Sequence, residues 1–140
     1  MSRQHYVEQT VGELGAALDI PQLALDSSGR ASLSLNGIRL TLCHADDPVE
    51  LLWLFVDLGE VADDSAELLQ GLLQMGFLTW SSNCMTIGID ESGERIIGHS
   101  NIPVVFLNAV RLRDLVQRML ESAAAIRQRI ESRQLEFTAL

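Results

Sequence analysis

The chain has 140 residues, 47% of them hydrophobic but only 5% aromatic, and a formal charge of −9 from 10 arginines, no lysine and 19 acids. That length and composition fit one soluble globular domain, residues 1–140, with an aliphatic, leucine-dominated core, and they argue against a disordered chain. The negative field repels nucleic-acid phosphates and anionic lipid surfaces, and no apolar run approaches the ~20 residues needed to span a bilayer.

A first helix is expected after Ser2, a possible N-cap, with Val7, Val11, Leu14 and Leu18 on one stripe and Pro21 as its limit. Gly12 and Gly15 each weaken that helix by about 1 kcal/mol relative to Ala, so it depends on docking. Asp26-Ser27-Ser28-Gly29 has the composition of a turn. Ala31 to Leu35 and Ile38 to Leu42 then alternate around Asn36-Gly37, a strong hairpin signal because both central residues tolerate positive φ. Leu33 and Leu35 share one face of its first strand, and Ile38, Leu40 and Leu42 share one face of its second. The opposite set is Ser32, Ser34, Arg39 and Thr41.

The stretch from Glu50 to Phe77 organises the rest. Leu51 to Val56 form an unbroken apolar run, which predicts a central strand covered on both faces. Asp63, Asp64 and Ser65 offer N-caps for a second helix, in which Leu68, Leu69, Leu72 and Leu73 recur at helical spacing before Gly76 stops it. This helix carries more leucine than one shallow contact requires, so part of its surface is expected to belong to a partner. Beyond it, Met85, Ile87 and Ile89 alternate, Asp90-Glu91-Ser92-Gly93 turns, and Arg95 to Ser100 return as a strand. Val104 to Leu107 lead to Asn108, a cap for a last helix from about Ala109 to Arg133 with Leu112, Val116, Met119, Ala123, Ile126 and Ile130 along one seam.

Charge follows the same segmentation. No arginine lies between Arg39 and Arg95, where eleven acids fall, whereas the last helix holds six arginines against three acids. The acidic middle serves solubility and can attract a basic partner. The arginines of the last helix form a solvated face that can also meet the acidic middle or a second subunit.

No catalytic constellation emerges. Cys43 and His44 are strand neighbours and point to opposite faces, and with Cys84 and His99 they lack the short paired spacings of a metal site. Their neutral reading is two buried thiols and two partly exposed histidines. Gly98-His99-Ser100-Asn101-Ile102 starts like a nucleophile elbow but lacks its closing glycine. Without lysine there is neither a P-loop lysine nor a Schiff base. The paired acids Asp46-Asp47, Asp63-Asp64 and Asp90-Glu91 sit in turns or caps. No metal and no cofactor is expected, and the two isolated cysteines and the absence of a basic-then-apolar N-terminus point to a reducing cytoplasm.

The hairpin Leu33 to Leu42, the acidic leucine-rich segment Glu50 to Gly76, the strand Thr86-Ile87-Gly88-Ile89-Asp90 before a Ser-Gly turn, and the long final helix occur in an order that resembles the class I type III secretion chaperones, the Tir-chaperone (CesT-like) family. The resemblance covers residues from about 4 to about 133. It implies an α+β fold of α-β-β-β-α-β-β-α order, an antiparallel twisted sheet with helices packed on it, assembled as a homodimer in the bacterial cytoplasm. It implies a non-enzymatic chaperone that holds the N-terminal segment of a secreted effector extended, without ATP; the secretion-system ATPase is a further partner that it allows. Dimerisation through the middle helix and nearby strands maps to Leu69, Leu72, Leu73, Phe77 and Trp80, and effector binding through the sheet and first helix maps to Leu14, Leu33, Leu35, Leu40, Trp53 and Phe55. Two departures are Gly76-Phe77, where the family often has a polar residue, and a last helix without the frequent aromatic.

Two alternatives accompany that reading. A dimeric adaptor of the same fold would hold a component of the secretion machinery, and only the captured partner separates it from an effector chaperone. An enzyme built on Cys43, His44, Cys84 and His99 would lose activity or metal in a Cys43→Ser, Cys84→Ser variant.

Overall fold

A computed structural model of the chain describes residues 3–61, 65–79 and 85–132, apart from the side chains at 65, 68, 75–79 and 132. In chain order the elements are α1 (Gln4–Ala17), β1 (Arg30–Leu35), β2 (Ile38–Ala45), β3 (Leu51–Glu60), α2 (Ser65–Thr79), β4 (Thr86–Ile89), β5 (Arg95–Pro103), one 3-10 turn (Val104–Phe106) and α3 (Ala109–Ser132). The α+β architecture and the order of its helices and strands are those expected. The strands form a single antiparallel sheet ordered β1-β2-β3-β5-β4, with β3 at its centre.

Period-two alternation decides what each strand buries. Ala31, Leu33, Ile38, Leu40, Leu42, Leu52, Leu54, Val56, Leu58, Ile96 and Ile102 point to one side of the sheet and are all buried. There α3 lies across β3 and β2, and α1 packs on α3. The seam Leu112, Val116, Met119, Ala123 and Ile126 of α3 and the stripe Val7, Val11 and Leu14 of α1 complete one core. β3 is therefore central, as expected, but it is not covered on both faces. Its other set, Leu51, Trp53, Phe55 and Asp57, is half-exposed, since α3 lies on the first side of β3 and β2 and α1 packs on α3.

Turn chemistry sets the register. Asn36 and Gly37 take φ of 54° and 77°, and Leu35 pairs with Ile38 across them. A β-branched side chain is strained at such a φ, so Asn36→Val should lower stability by ~1–2 kcal/mol, whereas Asn36→Gly should leave the urea midpoint nearly unchanged.

The two D-x-S-G turns share one construction. Asp26 Oδ1 accepts the backbone N–H of Ser28 and Arg30 and the Ser28 hydroxyl, while Asp90 Oδ1 accepts the N–H of Glu94 and Arg95 and the Ser92 hydroxyl. The serine hydroxyls first, then the backbone donors, hold both carboxyls below the usual carboxylate range. Each group's folded-state pKa thus lies below its unfolded value, so its contribution is complete above about pH 4 and is lost as pH falls through the lower folded-state value. The Asp26→Asn, Asp90→Asn double variant should show a flatter decline of the urea midpoint on acidification below about pH 4 than the parent.

Two local expectations need correction, and others fall outside the described residues. α2 runs through Gly76 to Thr79, since an isolated glycine costs a helix only ~1 kcal/mol and does not by itself break it. α1 begins after Arg3 with no side-chain cap, and Ser2 lies outside the described residues. The proposed caps Asp63 and Asp64 lie outside them too, as does Arg133. Asn108 does cap α3, accepting the Arg111 N–H at 2.8 Å.

Candidate protein-binding surfaces

The side of the sheet away from α1 and α3 is built from the second alternating set. In register, Cys43 of β2 stands beside Trp53 of β3, which stands beside Asn101 of β5; Thr41, Phe55 and His99 form the next row, and Thr86 of β4 adjoins His99. Trp53 and Phe55 stack with ring centroids 6.0 Å apart at 15°. The His99 imidazole tilts against both, at 6.0 Å from Trp53 and 6.4 Å from Phe55. Half-buried Leu51 and Ile97 extend this apolar floor. Ser32, Ser34 and Arg39 form a polar margin on β1 and β2, with the Ser32 and Thr41 hydroxyls 3.2 Å apart.

At the far end, Arg95 reaches across to β3. Its Nη2 donates to both Asp57 carboxylate oxygens at 2.6 and 2.7 Å, and its Nη1 donates to Glu60 at 3.2 Å. Asp57 also accepts the N–H of Gly59, where the register shifts and Gly59 takes φ 128°. This ion pair spans the bulge and bounds the aromatic floor on one side. An apolar centre of aromatic side chains with a hydrogen-bonding rim is the composition of a protein-binding hot spot.

The residues expected to bind an effector separate under this geometry. Trp53 and Phe55 are on the open face and in contact with each other. Leu35 is half-buried at the end of β1. Leu14, Leu33 and Leu40 are core residues, at most 5% exposed, so they do not line a surface. The reason is their phase: all three fall on the faces that α1 and the sheet turn toward each other and toward α3. His99, Ile97 and Leu51 share the open face and were not singled out from the sequence; pairing the alternation of Arg95 to Pro103 with that of β3 would have placed 99 beside 55 and 97 beside 57.

The second helix presents a different surface. α2 lies against β4 at the edge of the sheet. Leu72 is buried, Leu69 is half-buried and Leu73 is 76% exposed, with Ile89 of β4 exposed as well. The Phe77 side chain and Trp80 lie outside the described residues.

The histidines and cysteines do not converge. Cys43 is half-buried on the open face, whereas the neighbouring His44 points the other way and pairs with Glu50 at 2.8 Å, its side chain only 7% exposed. His44 is therefore a half-buried residue whose nearly buried ring is the partner of a carboxylate. Glu50 Oε2 also accepts the Arg3 N–H at 2.8 Å, which ties the start of α1 to the β2–β3 connection. Cys84 lies outside the described residues, and among those described no three of His, Cys, Asp and Glu are grouped to hold a metal ion. Nor, among them, is any helix long and apolar enough to cross a membrane.

Comparison with known proteins bears on the whole chain. The profile of the Tir chaperone protein (CesT) family matches residues 9–127. Among solved structures, a chain of the HopA1-SchA chaperone-effector complex superposes with a TM-score of 0.74 at 21% identity, covering 89% of this chain and 95% of that one. A chain of the ExsC-ExsE complex gives 0.78 at 20% identity, covering 91% and 96%. A chain of the ExoT-SpcS complex from Pseudomonas aeruginosa gives 0.63 at 19% identity, covering 89% and 98%. At these identities the likeness is one of fold. No curated protein sequence matches.

Proposed function

Because the chain belongs to the Tir chaperone protein (CesT) family, we propose that it is a type III secretion chaperone of the bacterial cytoplasm that holds a segment of a secreted effector extended on the open face of its sheet. The observation that carries this reading is the Trp53–Phe55–His99 floor, an aromatic surface that stays half-exposed among the described residues. A segment that orders on binding must bury ~1,000–3,000 Å² to offset its lost entropy, so its host needs long apolar surfaces rather than one pocket. The structural relatives that are chaperone-effector complexes support the same reading. Binding, not catalysis, is the activity, and it requires neither ATP nor a cofactor.

A homodimer completes the proposal. Leu73 and Ile89 lie exposed along α2 and β4, with Leu69 half-buried beside them, and a second copy would cover them. Leu72 supports that surface from within, and Phe77 and Trp80 follow it in the chain.

The test is co-expression with secreted proteins encoded beside this chain's gene, followed by mass measurement of the purified complex. A dimer that retains one of them as a soluble complex is the expected result. A monomer that retains none would reject the proposal.

A further inference from the structure

The three histidines of the chain sit in different electrostatic settings. His5 is exposed on α1. The His44 ring has a carboxylate partner, Glu50, at 2.8 Å, so a charge there is paired. His99 differs from both: it is half-buried on the open face, its ring meets Trp53 and Phe55, and among the described residues no carboxylate stands within ion-pair distance of it.

The register defines what surrounds that ring. Phe55 of β3 lies opposite His99 and Thr86 of β4 lies on its other side, while Ile97 and Asn101 flank it along β5 on the same face. Beyond Phe55 the row continues to Thr41 of β2, and Trp53 stands beside Cys43 in the next row. The charged groups of this face are Asp57 and Arg95, closed on each other at 2.6 Å with Glu60 beside them, and Arg30 and Arg39 at the exposed β1–β2 margin. Both acids are held by Arg95, so neither is free to meet an imidazolium.

A protonated imidazole at a half-exposed site relies on water to solvate its charge, whereas a neutral one can be covered without that loss. The Trp53 and Phe55 rings contact His99 in the empty chain already, so what they contribute to a cation there is largely common to the empty and the covered face. What a bound segment removes is the water. An apolar segment laid over the floor therefore closes over the neutral ring and is opposed by the charged one.

Resting on the open-face reading of the binding site, we infer that His99 couples segment binding to release of a proton, so that the face holds its segment at neutral pH and loosens its hold as pH falls through the imidazole range. Above that range the ring is neutral and compatible with cover. Below it the ring must give up its proton before the segment closes over it, and that cost is subtracted from binding.

The experiment uses the full-length, isotope-labelled chain and a blocked synthetic peptide of leucine, phenylalanine, serine and asparagine, which carries no titrating group. Affinity should be about five- to tenfold weaker at about pH 5.5 than at about pH 7.5, the change expected when an imidazole of ordinary acidity stays neutral under the peptide. Carboxylates and thiols change charge largely outside that window. The His99 ring signals should titrate across it in the free chain and stop doing so in the saturated complex, which separates His99 from His44 without any substitution. His99→Gln should bind equally at both pH values, and His5→Gln should keep the parent's fold-change; circular dichroism at each pH verifies folding. Signals at Trp53, Phe55 and His99 that never respond to the peptide would remove the open face as a site for apolar segments, and this coupling with it. Binding there with equal affinity at both pH values, tighter binding at the lower one, or a fold-change that persists in His99→Gln would overturn the coupling alone.

Discussion

Trp53→Ala should weaken the bound effector segment by ~2–4 kcal/mol, a loss of roughly thirty- to a thousandfold in affinity, while the chain stays folded. Trp53 stands at the centre of the open face, between Cys43 and Asn101 in register and in ring contact with both Phe55 and His99. Truncating it removes the largest side chain of the floor and also leaves the Phe55 and His99 rings without their neighbour, so the loss exceeds that of one isolated contact. Its own side chain is only half-buried, so folding loses less than binding does. Ser32→Ala, at the polar margin, is the control and should change affinity by less than about 1 kcal/mol. Calorimetric titration with the co-purified protein's N-terminal segment measures both. An unchanged affinity in Trp53→Ala would remove the sheet face as the effector site.

Gly15→Ala and Gly12→Ala should shift stability in opposite directions. A Cβ at Gly15 would stand 2.5 Å from the Ile20 carbonyl oxygen and 2.8 Å from the Leu23 Cβ, because the chain leaving α1 folds back over this position and the Ile20 N–H donates to the Gly15 carbonyl. The obstacle is backbone, which yields poorly, so the alanine should cost ~1–3 kcal/mol. At Gly12 a Cβ meets nothing within 4 Å, and alanine should add up to ~1 kcal/mol through helix propensity. Urea unfolding of the two variants separates them, and midpoints moving the same way would contradict the close return of the chain at Ile20.

Those two glycines show where the sequence is silent. Both lie in one helical pattern and look equally unfavourable, since the difference between them is made by Ile20 and Leu23, which return only when the fold closes. The Asn36-Gly37 hairpin, by contrast, was legible because its φ requirement is local. The apolar run of β3 announced a central strand, but a run apolar in both phases cannot say which side the helices will take. For the same reason Leu33 and Leu40 could not be told from surface leucines before the core face was known. His44–Glu50 and Arg95–Asp57 join residues whose pairing follows from strand register rather than from any motif. Val105 and Phe106 passed as an approach to the Asn108 cap, because a short apolar run reveals nothing of its exposure.

The half-exposed indole on the open face, stacked on Phe55 and met at a tilt by His99, makes Trp53 an optical reporter of that face. In a Trp80→Phe background its emission would be the only indole signal in the chain. A bound segment that excludes water should shift the emission to the blue, and occupancy could then be followed in real time without any label.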